Sequence, residues 1–274
     1  MQLVTGPANA TDHRIKWTSS NKTAATVDEN GTVTALRPIE TVTITAVYKT
    51  NPALTCSWNL KITRTKGYIT KQMLDNLDLT AIKKVMITAH PDDETLWGGG
   101  HLIEGEYLVV CMTHGWNPKR RTAFEQTMRT TNDKYLILDY PDVRKTFSNG
   151  KYETDMLSTC KNAMQEDINL ILSYKKWDLI ATHNPFGEYG KFLHKTISQM
   201  VTQCYNKMTN KSATLYYFGR YYNSSNKIPG EQIAPELLAI KNSMVDRYYP
   251  TAKGAIVAFG HMIPYENWLL PSEW

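Results

Sequence analysis

The chain predicts two folds in series: a small all-β sandwich over residues 1–64, then an α/β domain over residues 68–274 whose mostly parallel sheet is covered by helices on both faces. Three observations carry this reading. Up to about residue 62, apolar and polar residues alternate in short runs broken by Asn, Gly and Pro, which is the period-2 pattern of half-buried strands. Beyond residue 80, continuous apolar runs alternate with helical stretches, as a sheet buried on both faces requires. With 274 residues and 42% hydrophobic content, the chain is long and apolar enough to bury both cores.

In the first part, strands are expected over residues 14–21, 25–28, 31–36, 41–47 and 56–62, with Trp17 in the core. In the second, strands near 83–89, 107–113, 135–139, 178–183 and 213–218 alternate with helices near 95–104, 118–133, 155–174, 192–208 and 233–248, a Rossmann-like arrangement. The helix over 155–174 presents Met156, Leu157, Cys160, Ala163, Met164, Ile168, Ile171 and Leu172 at close to 3.6-residue spacing, so it serves the core and not a cofactor. Residues 220–229, rich in Tyr, Asn and Ser, read as a loop.

One stretch carries chemistry. Ala89-His90-Pro91-Asp92-Asp93-Glu94 directly follows the apolar run Lys84–Thr88 and precedes Gly98-Gly99-Gly100, read as a turn. It sets three metal-binding or proton-handling side chains at the carboxyl end of a buried strand, where open α/β sheets build their sites. His90 and Asp93, three apart, can converge on one cation and leave Asp92 to handle a proton. Helix capping would explain carboxylates in a first turn, but not the His-Pro pair fixed to the strand end. A second run, Asp178–Thr182, leads into His183-Asn184-Pro185-Phe186-Gly187-Glu188-Tyr189-Gly190-Lys191-Phe192-Leu193-His194. With His194 as a distant third ligand, two imidazoles and one carboxylate leave a position for water, the arrangement of catalytic zinc. His114, His183 and His261 are further imidazoles, expected to be structural or merely near the site.

These residues resemble the LmbE/PIG-L-like N-acetylglucosaminyl deacetylases, which share a strand-terminal AHPDDE and a later G-x-Y-G-H-P-x-H; the likeness spans roughly residues 70–274. It implies that His90, Asp93 and His194 bind Zn²⁺ or another divalent transition metal. Asp92 would be the general base, Tyr189 a donor to the oxyanion and Arg121, beside Arg120, a substrate contact. The implied activity is hydrolysis of the acetamide of an N-acetylhexosamine-containing glycan or glycoconjugate. Tyr221 and Tyr222 could then stack on a sugar. The departure is local: where the family has His-Pro-Asp-His, this chain has Lys191-Phe192-Leu193-His194. Either the Lys191 ammonium takes over the proton-donating role, or the domain is a carbohydrate-binding pseudoenzyme; an amidase for another acylated amine is the third reading.

The string W-T-S-S-N from Trp17, followed by A-T-V-D-x-N-G-T-V-T-A-L ending at Leu36, resembles a bacterial Ig-like domain of group 2. That resemblance implies a secreted or cell-surface setting, with possible cell-wall contact. Residues 1–12 are short for the strands that family places before this point, so the domain is expected to be truncated there; no signal peptide is visible. The net charge of +5 comes from scattered lysines, with no nucleic-acid motif. No apolar run approaches the ~20 residues a bilayer span needs. Cys56, Cys111, Cys160 and Cys204 form no C-x-x-C and are expected as buried free thiols.

Overall fold

The computed structural model describes residues 14–142, 157–209 and 212–274. They fall into two compact units, residues 14–65 with 157–161 and residues 66–142 with 162–274. Met156 and the expected truncation over residues 1–12 lie outside the described residues.

In the first unit, β1 (Ile15–Ser19), β4 (Ile39–Tyr48) and β5 (Thr55–Ile62) form an antiparallel sheet in the order β1-β4-β5, and β2 (Ala25–Val27) pairs with β3 (Val33–Ala35). Val42, Ile44 and Ala46 of β4 are buried while their neighbours are not, the alternation the sequence predicts. Trp17 is half-buried, not a core residue. Its indole stacks on Trp58 at 5.9 Å and covers Gly31, where a Cβ would lie 2.6 Å from the ring. Cys56 faces solvent, whereas Cys111, Cys160 and Cys204 are buried, and none of the four forms a disulfide among the described residues.

The second unit holds a five-stranded sheet, all of it parallel, in the order β10-β9-β6-β7-β8. Its strands are β6 (Lys84–Thr88), β7 (Tyr107–Thr113), β8 (Lys134–Tyr140), β9 (Leu179–Thr182) and β10 (Thr214–Tyr217). Successive strands step outward from β6 through β7 to β8, and the chain then returns to set β9 on the other side of β6. The strand order reverses between β6 and β9, which is where such sheets open a crevice at their carboxyl ends. The helices are α1 (Lys71–Asp75), α2 (Asp93–Glu104), α3 (Pro118–Thr131), α4 (Lys161–Tyr174), the single turn α5 (Gly187–Gly190), α6 (Phe192–Lys207) and α7 (Pro235–Phe259). Among them α2, α3 and α7 pack together, and α6 packs on β6 and β9. Trp97, Phe124, Tyr248 and Phe259 join the core around Met86, Val109 and Cys111.

Two elements differ from expectation, each for a packing reason. Gly98-Gly99-Gly100 lies inside α2, with a break from helical geometry at Gly98. A Cβ at Gly98 would come within 2.7 Å of Met86, and one at Gly99 within 2.9 Å of Lys241, so the glycines admit neighbours against the helix. The last helix runs to Phe259, past Pro250 and a non-helical Ala252, because Ile256 and Phe259 still bury against the core.

Candidate metal centre

The segment after β6 turns sharply. Asp92 takes φ 141° and ψ −31°, and although it stands at the N-cap of α2 its side chain makes no cap hydrogen bond. The capping explanation of this carboxylate therefore fails. Glu94, fully buried, holds the turn: one of its oxygens accepts the Asp92 N–H at 3.1 Å, and the other accepts the Tyr248 hydroxyl at 2.5 Å and the Thr95 hydroxyl at 2.8 Å. Asp93 then points back, its Oδ2 accepting the His90 N–H at 2.7 Å.

Across the crevice, α5 and α6 bring His194 to the same point. His90 Nδ1 lies 3.1 Å from His194 Nε2 and 3.2 Å from Asp93 Oδ2, and His194 Nε2 lies 3.4 Å from Asp93 Oδ2. Donors on tetrahedral zinc, at bonds of about 2.0–2.1 Å, are about 3.3 Å apart, so the triangle has the size of three zinc ligands. Each imidazole is turned by a carboxylate behind it. His90 Nε2 meets Asp142 Oδ1 at 2.9 Å, and His194 Nδ1 meets Glu188 Oε2 at 2.5 Å. Because ionised carboxylates only accept, these contacts aim His90 Nδ1 and His194 Nε2 at Asp93 Oδ2. Imidazole ligands commonly carry such backing.

The electrostatics say what the triangle wants. Burial opposes ionisation of Asp93, but His194, His183 and His90 together hold it well below the usual carboxylate range. Burial likewise opposes a charge on His90, yet Asp142 and Asp93 push its pKa up to about 10. Burial keeps His194 below its ordinary value. Three buried acceptors facing one point require positive charge there, as a shared proton or as a cation. Asp92 stands beside them with a different character: burial, then the Asp93 carboxylate, push its pKa up to about 7, the range of a working general base.

The remaining candidates divide. The Tyr189 ring, 42% exposed, meets His194 edge-on at 5.7 Å and Phe259 at 4.4 Å, and partial burial followed by Asp93 and Asp92 raises its pKa above the usual phenol value, so its hydroxyl keeps its proton. Lys191 stands at the N-cap of α6, half-buried, and its charge adds to the His90 field that, against burial, holds Asp142 ionised. Leu193 is fully buried in the core. Arg121 donates to Gly115 O at 2.7 Å; Arg120 is the arginine whose charge favours ionisation of Asp92. His114 stands 5.7 Å from the His90 ring and stacks on Trp116. His261 bonds Tyr222 O, and Tyr221 packs against Phe259. Sequence reasoning missed Asp142 and Glu188. Asp142 follows β8 by two residues, so the strand-end rule applied to a third strand would have found it.

Residues 1–57 match the family model described as bacterial Ig-like domain (group 2). Over 175 aligned positions the chain is 31% identical to uncharacterized protein L374 of Acanthamoeba polyphaga mimivirus, covering 58% of this chain and 67% of that protein. The chain belongs to the family of that mimivirus protein. It is also 33% identical over 97 residues to an uncharacterized protein of Clostridium acetobutylicum, covering 35% of this chain but only 10% of that longer one. A solved bacterial Ig-like domain containing GH10 xylanase from termite gut aligns at 15% identity over 90% of this chain and 64% of that one, with a TM-score of 0.18, too low to carry a structural argument.

Proposed function

We propose that the second unit is a zinc-dependent de-N-acetylase acting on an N-acetylhexosamine-containing glycan or glycoconjugate. The observation that carries the reading is the triangle of His90 Nδ1, Asp93 Oδ2 and His194 Nε2, with sides of 3.1–3.4 Å and a carboxylate behind each imidazole. The donor set suits zinc, and another divalent transition metal would also fit. A cation held there would acidify a water and polarise a carbonyl oxygen. Asp92, poised near neutrality, takes the proton from the attacking water. Tyr189 offers a hydroxyl to the oxyanion, a type of contact worth about 3 kcal/mol. Lys191 or the protonated Asp92 returns a proton to the departing amine.

The likeness of AHPDDE and of the Gly187–His194 loop to LmbE/PIG-L-like deacetylases supplies the acetamide, and the sheet order is compatible with the Rossmann-like sheet expected for that family. In this reading the Ig-like unit holds the enzyme at a bacterial surface or cell wall, and Tyr221 meets a sugar. No helix among the described residues is long and apolar enough to cross a membrane. The test is acetate release from N-acetylglucosamine oligomers with zinc and after chelation. Zinc-dependent release is expected; a fully zinc-loaded protein that releases none across a panel of acetylated glycans would leave the carbohydrate-binding alternative.

A further inference from the structure

Two overlapping sets of side chains in the second unit could each hold a cation: His90, Asp93 and His194, or His183, Glu188 and His194. The hydrogen bonds distinguish them. The Ala89 N–H donates to His183 Nε2 at 2.9 Å, so that nitrogen presents a lone pair and the ring proton sits on Nδ1. His183 Nδ1 in turn donates to Glu188 Oε2 at 3.0 Å. His183 Nε2 also lies 3.4 Å from Asp93 Oδ2, but the Ala89 N–H, at 2.9 Å, occupies the place a second ring proton would need. His194 Nδ1 donates to the same Glu188 oxygen at 2.5 Å. One carboxylate oxygen thus receives two imidazole N–H groups, while its twin accepts the Asn184 N–H at 3.1 Å. Both nitrogens of the second set carry protons toward Glu188, and a cation there would have to displace them.

We propose that Glu188 is a positioning residue, not a ligand: its carboxylate fixes His183 and His194 as the Nδ1–H tautomers, and so prepares the zinc site from two sides at once. On one side it aims the His194 Nε2 lone pair at Asp93 and His90. On the other it acts through His183 on the Ala89 N–H, the peptide group next to His90, and so ties the carboxyl end of β6 to that of β9. The backbone is built around this duty. Glu188 takes φ 54° between Gly187 at 63° and Gly190 at 100°, and its amide donates to Asn184 Oδ1 at 3.0 Å. Strain of this kind persists only where surrounding contacts enforce it. The inference rests on the metal reading for its purpose, but the tautomers can be read without any metal.

The first measurement is the nitrogen-15 spectrum of the imidazole rings in the metal-free parent protein. His183 and His194 are both expected as Nδ1–H rings with a bare Nε2. A His194 ring protonated on Nε2 would overturn the proposal without any variant. The second is Glu188→Gln, which keeps the shape but removes the charge and leaves one oxygen to serve three N–H groups. Zinc affinity, by titration, is expected to fall about 10- to 100-fold, and His194 to populate the Nε2–H tautomer. Unchanged affinity and an unchanged spectrum in a variant with the parent's melting temperature would overturn it. A parent that takes up no zinc while His194 remains Nδ1–H supports the tautomer assignment and sinks the metal reading instead.

Discussion

Of the five non-glycine residues with positive φ among the described residues, three sit at the candidate centre: Asp92 at 141°, His114 at 67° and Glu188 at 54°. Each such conformation costs of order 1–3 kcal/mol, and each follows the end of a different strand. For Asp92 the strain turns the carboxylate away from helix capping and toward the triangle. Asp92→Asn keeps its size and removes the base, so turnover should fall about 10²-fold or more while zinc binds as before; normal turnover with stoichiometric zinc would rule Asp92 out as the base. Lys191→Ala should likewise lower turnover about 10²-fold, with a change in zinc affinity of a few-fold at most, since Lys191 is not among the candidate ligands and its charge acts on Asp142, behind His90. Equal turnover in that variant would leave Asp92 as sole proton carrier. Introducing the His and Asp that the LmbE/PIG-L-like deacetylases carry at positions 191 and 193 is not a clean control, because Leu193 is fully buried and an aspartate there would lack water. At this scale the sequence disclosed the acceptors but not what aims them. His90, Asp92 and Asp93 stand in one short motif, whereas Glu188 lies in a polar loop whose burial is decided by how α5 and α6 fold against β9.

At the scale of elements, α2 is held by a pair that local sequence does not announce. Lys241 of α7, fully buried, forms an ion pair with Glu266 at 2.6 Å, and Glu266 also accepts the Gly100 and His101 N–H groups at 2.6 and 3.1 Å. Lys241→Met would leave Glu266 charged, buried and without its counter-ion, a change that costs about 3–5 kcal/mol. Denaturant unfolding should show it; a loss under 1 kcal/mol would mean the pair contributes little. A second buried carboxyl sets a pH dependence. Burial pushes the pKa of Asp133 up to about 7 even though it accepts hydrogen bonds from Thr131 and the Tyr107 N–H. With its folded pKa raised, the stability Asp133 contributes is complete below about pH 4 and is lost as the pH climbs to about 7, at up to about 1.4 kcal/mol per unit. Asp133→Asn should flatten that part of the profile; an unchanged slope between pH 4.5 and 7.5 would assign it to other groups. Strands β6 to β10 were legible because buried parallel strands are continuous apolar runs. The course of α7 past Pro250 was not, since tertiary burial of Ile256 and Phe259 overrides a local helix breaker.

For the whole molecule, every residue of the candidate centre belongs to the second unit. A fragment of residues 68–274 should therefore hydrolyse small soluble substrates at close to the parent rate. A large loss in a fragment with an intact cooperative transition would count against the sandwich being a spacer or adhesion module. The change of hydrophobic period near residue 65 marks the passage from the antiparallel strands to the parallel sheet, but residues 157–161, expected in the second fold, cluster with the first unit. No local signal announces that membership, because the partner is distant in the chain: Arg64 donates its N–H to Thr159 O at 2.7 Å.

The unequal exposure of the four thiols makes the protein its own reporter. A bulky maleimide offered to the native chain should react at Cys56 alone, since Cys111, Cys160 and Cys204 are no more than 4% exposed, and thiolate reactivity needs access. Mass spectrometry of labelled species over time would then count openings directly: a first adduct within the mixing period, and each later adduct at the pace with which a particular buried thiol is uncovered. Three sulfurs in different places thus turn an ordinary alkylation into a map of which parts of the fold breathe, and in what order.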